Sequence, residues 1–206
     1  TFVTRVEVGR GLSVRREKAV MMFTGDIMCA VKHQRLAYGH QHDYFDSFRR
    51  VRDILSGADF TAGVLETTSI DRAPFEFEQL RLLTGAPNCN SPSTFISAVA
   101  AAGFNAVVTA NNHNSDCGVE GLKAADSEIR RCGMLNIGSM GHSLVMTDVK
   151  GIKVAVIATT MITNNTGWDL SKSGLVNPPG IYSRDYFTEL VNSARRMGAE
   201  FIAAYQ

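Results

Sequence analysis

The feature that most constrains this chain is an alternation. Short apolar runs of strand length, several rich in β-branched residues, are separated by stretches whose apolar residues recur every three to four positions. Strands that alternate with helices bury their faces by placing the helices against a largely parallel sheet, so the expected class is α/β. The runs fall at 19–23, 60–65, 104–110, 135–138 and 199–205, with a hairpin of 143–149 and 152–160 turning at Lys150-Gly151. Helices are predicted over 43–56, 91–102, 119–132 and 185–197, followed by Gly57, Gly103, Gly133 and Gly198 as stop signals. Ser91 is the expected N-cap of the second helix, with Pro92 at its first position. Segments 71–90 and 164–182, broken by Gly, Pro and Asn, read as loops. With no internal repeat and no composition break, the expectation is one domain over 19–206 behind an N-terminal flank of 1–18.

Composition narrows the function classes. The 206 residues are 45% apolar and 20% charged, enough to bury a core and to argue against intrinsic disorder. Lys and Arg number 21 against 20 Asp and Glu, a net charge of +1, which lacks the basic surface that phosphate-backbone binding needs, so nucleic acid is not an expected partner. No window approaches the roughly 18 apolar residues of a membrane span. The opening segment has no apolar core and does not read as a signal peptide. Cys29, Cys89, Cys117 and Cys132 show no C-x-x-C pair and read as buried thiols.

In open α/β sheets ligands bind beyond the carboxyl ends of the strands. Asp26 follows the first run, Glu66 the second, and Asn112-His113 the third. Taken singly, an Asp or Glu in such a place is read as well as a helix cap or a solvated loop residue. Two carboxylates and an Asn-His pair on one sheet edge form a mixed oxygen and nitrogen set, suited to Mn²⁺, Zn²⁺ or Fe²⁺ better than to Ca²⁺ or Mg²⁺. Asp116 is placed to cap the following helix or, as the alternative, to fix the His113 ring. His33, His40 and His42 read as a solvated loop, in which Lys32, Arg35 and Tyr38 could hold an anionic substrate. Trp168 either lines a groove or packs on the scaffold. Met21, Met22 and Met28 are expected in the core, and Arg130-Arg131 and Arg195-Arg196 at helix C-termini, where the dipole favours cations.

These residues also resemble a family. Phe23-Thr24-Gly25-Asp26-Ile27-Met28, Gly63-Val64-Leu65-Glu66 and Ala110-Asn111-Asn112-His113-Asn114-Ser115-Asp116-Cys117-Gly118 look like successive motifs of the CapA-type poly-γ-glutamate capsule biosynthesis domain, itself similar to the calcineurin-like metallophosphatases. The likeness covers nearly everything from Ala19 onward. It implies a four-layer α/β/β/α metallophosphatase-like sandwich with Asp26, Glu66, Asn112 and His113 as the metal set, and with His113 as proton donor beside a metal-activated water. Met28 stands where phosphatases carry a His, Val64 where the capsule family usually has Asn, and Asn114 where phosphatases carry an acid. The family pattern continues into a His-x-Gly element beyond Gln206, so the sandwich is expected to be truncated at its C-terminal end. The resemblance further implies a role in capsule polymer synthesis, export or anchoring. Its expected partners are an anionic polymer or phosphorylated substrate and membrane-bound polyglutamate synthase subunits. The expected location is extracytoplasmic or membrane-anchored through a segment preceding Thr1. The alternatives are a metal-dependent phosphoesterase and a non-catalytic binding module on the same scaffold.

Overall fold

The computed structural model describes residues 3–9, 18–29, 43–71, 89–139, 142–162 and 182–206. The His33, His40 and His42 loop, with Lys32, Arg35 and Tyr38, lies outside them, as does Trp168. Five strands form one sheet in the order β1-β2-β3-β4-β5: β1 Val3–Gly9, β2 Lys18–Ile27, β3 Phe60–Leu65, β4 Ala106–Val108 and β5 Leu135–Ile137. From β2 to β5 the pairing is parallel, as the alternation predicts. β1 is antiparallel to β2, with Val6 opposite Met21. This strand lies in the segment read as a flank. Its Thr-Arg-Val-Glu-Val alternation is short and charged, and only pairing with β2 gives its backbone groups partners.

The second sheet has the order β6-β7-β8, made of β6 Leu144–Val149, β7 Ile152–Ala158 and β8 Phe201–Tyr205. The β6-β7 hairpin closes at Lys150 and Gly151, whose φ angles of 52° and 77° are those of a type I′ turn. Lys150 Nζ reaches Asp59 Oδ1, just ahead of β3, at 2.8 Å, while Asp59 Oδ2 accepts the Val20 N–H.

Two apolar clusters show how the sheets are used. One joins Ala19, Met21, Phe60, Ala62, Ala106, Val108 and Ile137 to Ile152, Val154 and Val156, so the two sheets meet face to face. The other joins Leu65 and Val107 to Leu55, Phe95, Ile96, Val99 and Ile129 on the helical side. There a 3₁₀ turn, Tyr44–Phe48, is followed by α1 Arg52–Ser56, α2 Ser93–Ala101 and α3 Gly118–Arg131. A fully buried Ile or Val in these clusters contributes about 1.5–3 kcal/mol. The single helix expected over 43–56 is thus two short pieces, because Phe48 packs inward against Phe95 and Phe104 while Arg49 to Ile54 stay exposed. A fourth helix, α4 Arg184–Arg196, starts at Ser183, whose Oγ accepts the Tyr186 N–H, and contacts β6 and β7.

Ser91 does not cap α2. Its hydroxyl turns to the Thr68 carbonyl, Pro92 is the N-cap residue, and the free Ser93 N–H is taken by Asp71 Oδ1 at 2.7 Å. The cap therefore comes from a residue 22 positions away, which no local reading could assign. Met21 and Met22 are buried as expected, but Met28 is 37% exposed. The paired Arg residues close α3 and α4 as expected.

A bulge in β2 sets the orientation of the strand's end. Phe23 pairs with Ala62 and Asp26 with Val64, so three steps on β2 match two on β3. Ala19 and Met21 face the second sheet, yet Ile27 and Cys29, of the same parity, join the helical-side cluster. The extra residue thereby turns Asp26 to the face opposite Ile27. Gly63 makes room for it: a Cβ there would lie 2.3 Å from Thr24 Oγ1 and 2.8 Å from Ile27 Cδ1.

Candidate active site at the strand ends

β2, β3 and β4 deliver their ends side by side, with Asp26 opposite Val64 and Val64 opposite Val108. Asp26 is exposed, Glu66 half-buried, and Asn112 half-buried in the turn that follows β4. His113 is only 6% exposed. Its Nε2 lies 3.9 Å from Glu66 Oε1, and its Nδ1 lies 2.6 Å from Asp116 Oδ2. A separation of 2.6 Å is that of a charge-assisted hydrogen bond, whereas 3.9 Å is too long for any hydrogen bond.

The turn is held by Asn111, which lies outside the residues expected to form the site. Its Oδ1 accepts the His113 N–H at 3.0 Å, while its Nδ2 donates to the Leu65 carbonyl at 2.9 Å, tying the β4 turn to the end of β3. Asn-x-His is the spacing of an Asx turn, the one local signal that could have identified this role. Gly138, at φ 107°, lets β5 pass close by, since a Cβ there would lie 2.4 Å from the Ala110 Cβ.

Asp116 fixes the His113 ring and does not cap the helix. The N-cap of α3 is Cys117, with no side-chain cap bond, and Asp116 Oδ2 also accepts the Cys89 N–H at 2.6 Å. The ring's bond to Asp116 outcompeted the cap because His113 is buried, and a buried imidazole needs a partner on each nitrogen that carries a proton. Cys89 is the second residue that sequence reading missed. It sits in an irregular stretch without periodicity, and only the fold brings it beside His113.

Electrostatics follow from these contacts. The Asp116 carboxylate, and after it the Cys89 side chain, push the His113 pKa up to about 10 against the opposing cost of burial. Burial, then the Asp26 carboxylate, push the Glu66 carboxyl up, while His113 pulls it back. The Asp116 contact thus favours the charged form of His113, with Nδ1 engaged by Asp116 and Nε2 on the side of Glu66. An imidazolium has no lone pair for a metal. A ligand role for the charged ring would require a cation to displace its proton.

The Asp26 carboxylate adds to the cost of ionising Glu66, a like-charge contact that a divalent cation between the two would relieve. A second group is closer-knit: one donor atom each from Cys89, His113 and Asp116 lie within 4.8 Å of one another.

Comparison with known proteins gives one family and a few relatives. A family model described as bacterial capsule synthesis protein PGA_cap matches residues 20–204. The capsule biosynthesis protein CapA of Bacillus anthracis is 25% identical over 168 residues, 78% of this chain and 39% of that protein. Two proteins of Sinorhizobium fredii, uncharacterized protein y4sH and uncharacterized protein y4uA, are each 30% identical over 118 residues, 57% of this chain and 24% of their own lengths. The chain thus spans well under half the length of these relatives. No helix among the described residues is long and apolar enough to cross a membrane.

Proposed function

The chain belongs to the PGA_cap family of bacterial capsule synthesis proteins, and from that premise we propose that it serves the synthesis, export or anchoring of a poly-γ-glutamate-type polymer at the cell surface. The working edge is the one formed by Asp26, Glu66, Asn112 and His113. The observation that carries this reading is the buried His113, held by Asp116 at 2.6 Å with its other nitrogen facing Glu66 at the strand ends. The partners are an anionic polymer or phosphorylated intermediate and membrane-bound synthase subunits. Ala155 and Ile157, buried on the side of β7 away from the first sheet, together with buried Ala194 of α4, support a four-layer α/β/β/α architecture.

The same geometry favours a hydrolytic step on phosphate. Asp26, Glu66 and Asn112 are the residues that would hold a divalent ion of the Mn²⁺, Zn²⁺ or Fe²⁺ kind. When bound, such an ion supplies Lewis acidity and lowers the pKa of water from about 15.7 towards 7. His113 donates its Nε2 proton to a leaving oxygen, and Asp116 keeps the ring charged and aimed until it does. Asn111 holds the turn so that this aim survives thermal motion.

Deleting the gene in a capsulated host and complementing with wild type, Asp26→Ala and His113→Ala tests both parts. Surface polyglutamate should fall on deletion, return with wild type and stay low with either variant. Unchanged polymer on deletion refutes the capsule role. Full complementation by both variants refutes a catalytic site and leaves a binding scaffold. Phosphodiester turnover with added Mn²⁺ or Zn²⁺, lost in His113→Ala, is the expected hydrolytic signature.

A further inference from the structure

The Cys89 thiol is given no chemical role in the function proposed above, yet it is buried at 2% exposure. A buried thiol ordinarily sits among apolar side chains and behaves as a small hydrophobe. Here it meets an imidazole and a carboxylate instead, with one donor atom from each residue inside a 4.8 Å cluster. We propose that Cys89, His113 and Asp116 form a site for a thiophilic divalent cation of the Zn²⁺ type, separate from the Asp26 and Glu66 carboxylates. This inference rests on neither the capsule role nor a cation at the strand ends.

The site is built before any ion arrives. Asp116 Oδ2 accepts the Cys89 N–H, and the Cys89 carbonyl accepts both the N–H and the hydroxyl of Thr68, at 3.0 and 2.9 Å. The Thr68 carbonyl in turn accepts the Ser91 N–H, and Thr68 and Asn90 form an isolated parallel β-bridge. The thiol is therefore mounted on a pinned backbone on one side and the His113 turn on the other. A tetrahedral zinc with sulfur at about 2.3 Å and nitrogen or oxygen at about 2.0–2.2 Å sets its donors roughly 3.4–3.6 Å apart. The thiol needs a contraction of about 1.2–1.4 Å at most from the 4.8 Å limit, and the ion takes the place of the proton between His113 and Asp116, opening that pair by somewhat under 1 Å. A thiolate selects zinc, cobalt(II) or cadmium over magnesium or manganese. The next residue along, Asn114, is 3% exposed, and neither atom of its amide has a hydrogen-bond partner among the described residues. A buried amide left so calls for an ordered water beside the His113 turn.

Cobalt(II) titration of the full chain, followed by zinc displacement, tests the site. A near-ultraviolet thiolate-to-cobalt band should appear with one equivalent and be bleached by zinc. Cys89→Ser should abolish the band and weaken zinc binding roughly tenfold or more, whereas Asp26→Ala should keep it. X-ray absorption of the zinc-loaded wild type needs no variant and should show one sulfur at about 2.3 Å. Only nitrogen and oxygen neighbours, a band that survives in Cys89→Ser, or a band lost in Asp26→Ala overturns the proposal. A failed capsule or turnover assay leaves it standing.

Discussion

Replacing Asp116 with Asn keeps the shape of the side chain and removes the charge that holds His113 protonated. Asp116 is the largest cause of the shift that carries His113 to about 10. A hydrogen bond to a charged group is worth about 1.5–3 kcal/mol, and one pKa unit is about 1.36 kcal/mol. Asp116→Asn should therefore lower the His113 pKa by roughly one to two units. Because the folded pKa lies above the unfolded 6.5, the native state binds the proton more tightly. The pair's contribution to stability is thus complete below 6.5 and lost as pH rises through about 10. The variant should unfold more easily at pH 6–7 and match wild type more closely above pH 10. Imidazole NMR resonances followed from pH 5 to 11 report the pKa, and urea midpoints at pH 6.5 and 10 report the linkage. A wild-type ring that titrates near its ordinary value, or a variant whose ring titrates like wild type, refutes the reasoning.

Asn111→Ala removes two buried hydrogen bonds and strands the Leu65 carbonyl and His113 N–H, and it should cost about 2–4 kcal/mol in denaturant unfolding; a loss under a few tenths would contradict it. Gly63→Ala drives a methyl against Thr24, Ile27 and Phe104 and should cost about 1–3 kcal/mol while disturbing the bulge that aims Asp26, read as a lowered melting temperature. Glu66→Gln is expected to go the other way. Burial and Asp26 disfavour its ionised form, so the variant should melt higher than wild type at pH 7 while losing function, and a lower melting temperature there counts against the charge clash. Ser183→Ala deletes the α4 cap and should cost about 1 kcal/mol, largely restored by Ser183→Asp.

Local patterning along the chain was enough to read the α/β class and most of the strands and helices. Hydrophobic period and glycine stops are local, and a polar residue following an apolar run is visible in one dimension. The placement of Asp26, Glu66, Asn112 and His113 near the strand ends was legible on that basis, and the family resemblance was legible in the motifs around them. The tertiary structure decided what depends on partners far away in the chain. β1 is a strand because β2 lies beside it, Asp71 caps a helix 22 residues on, and one extra residue in β2 turns Asp26 about. Asp116, a cap by local logic, serves His113 because burial makes an unpartnered imidazole costlier than an uncapped helix end. Cys89 enters only through the fold, since no spacing links it to residue 113. Which groups titrate together, and which donors lie within reach of one ion, are properties of distances, and distances across a sheet edge are not written in the order of residues along it.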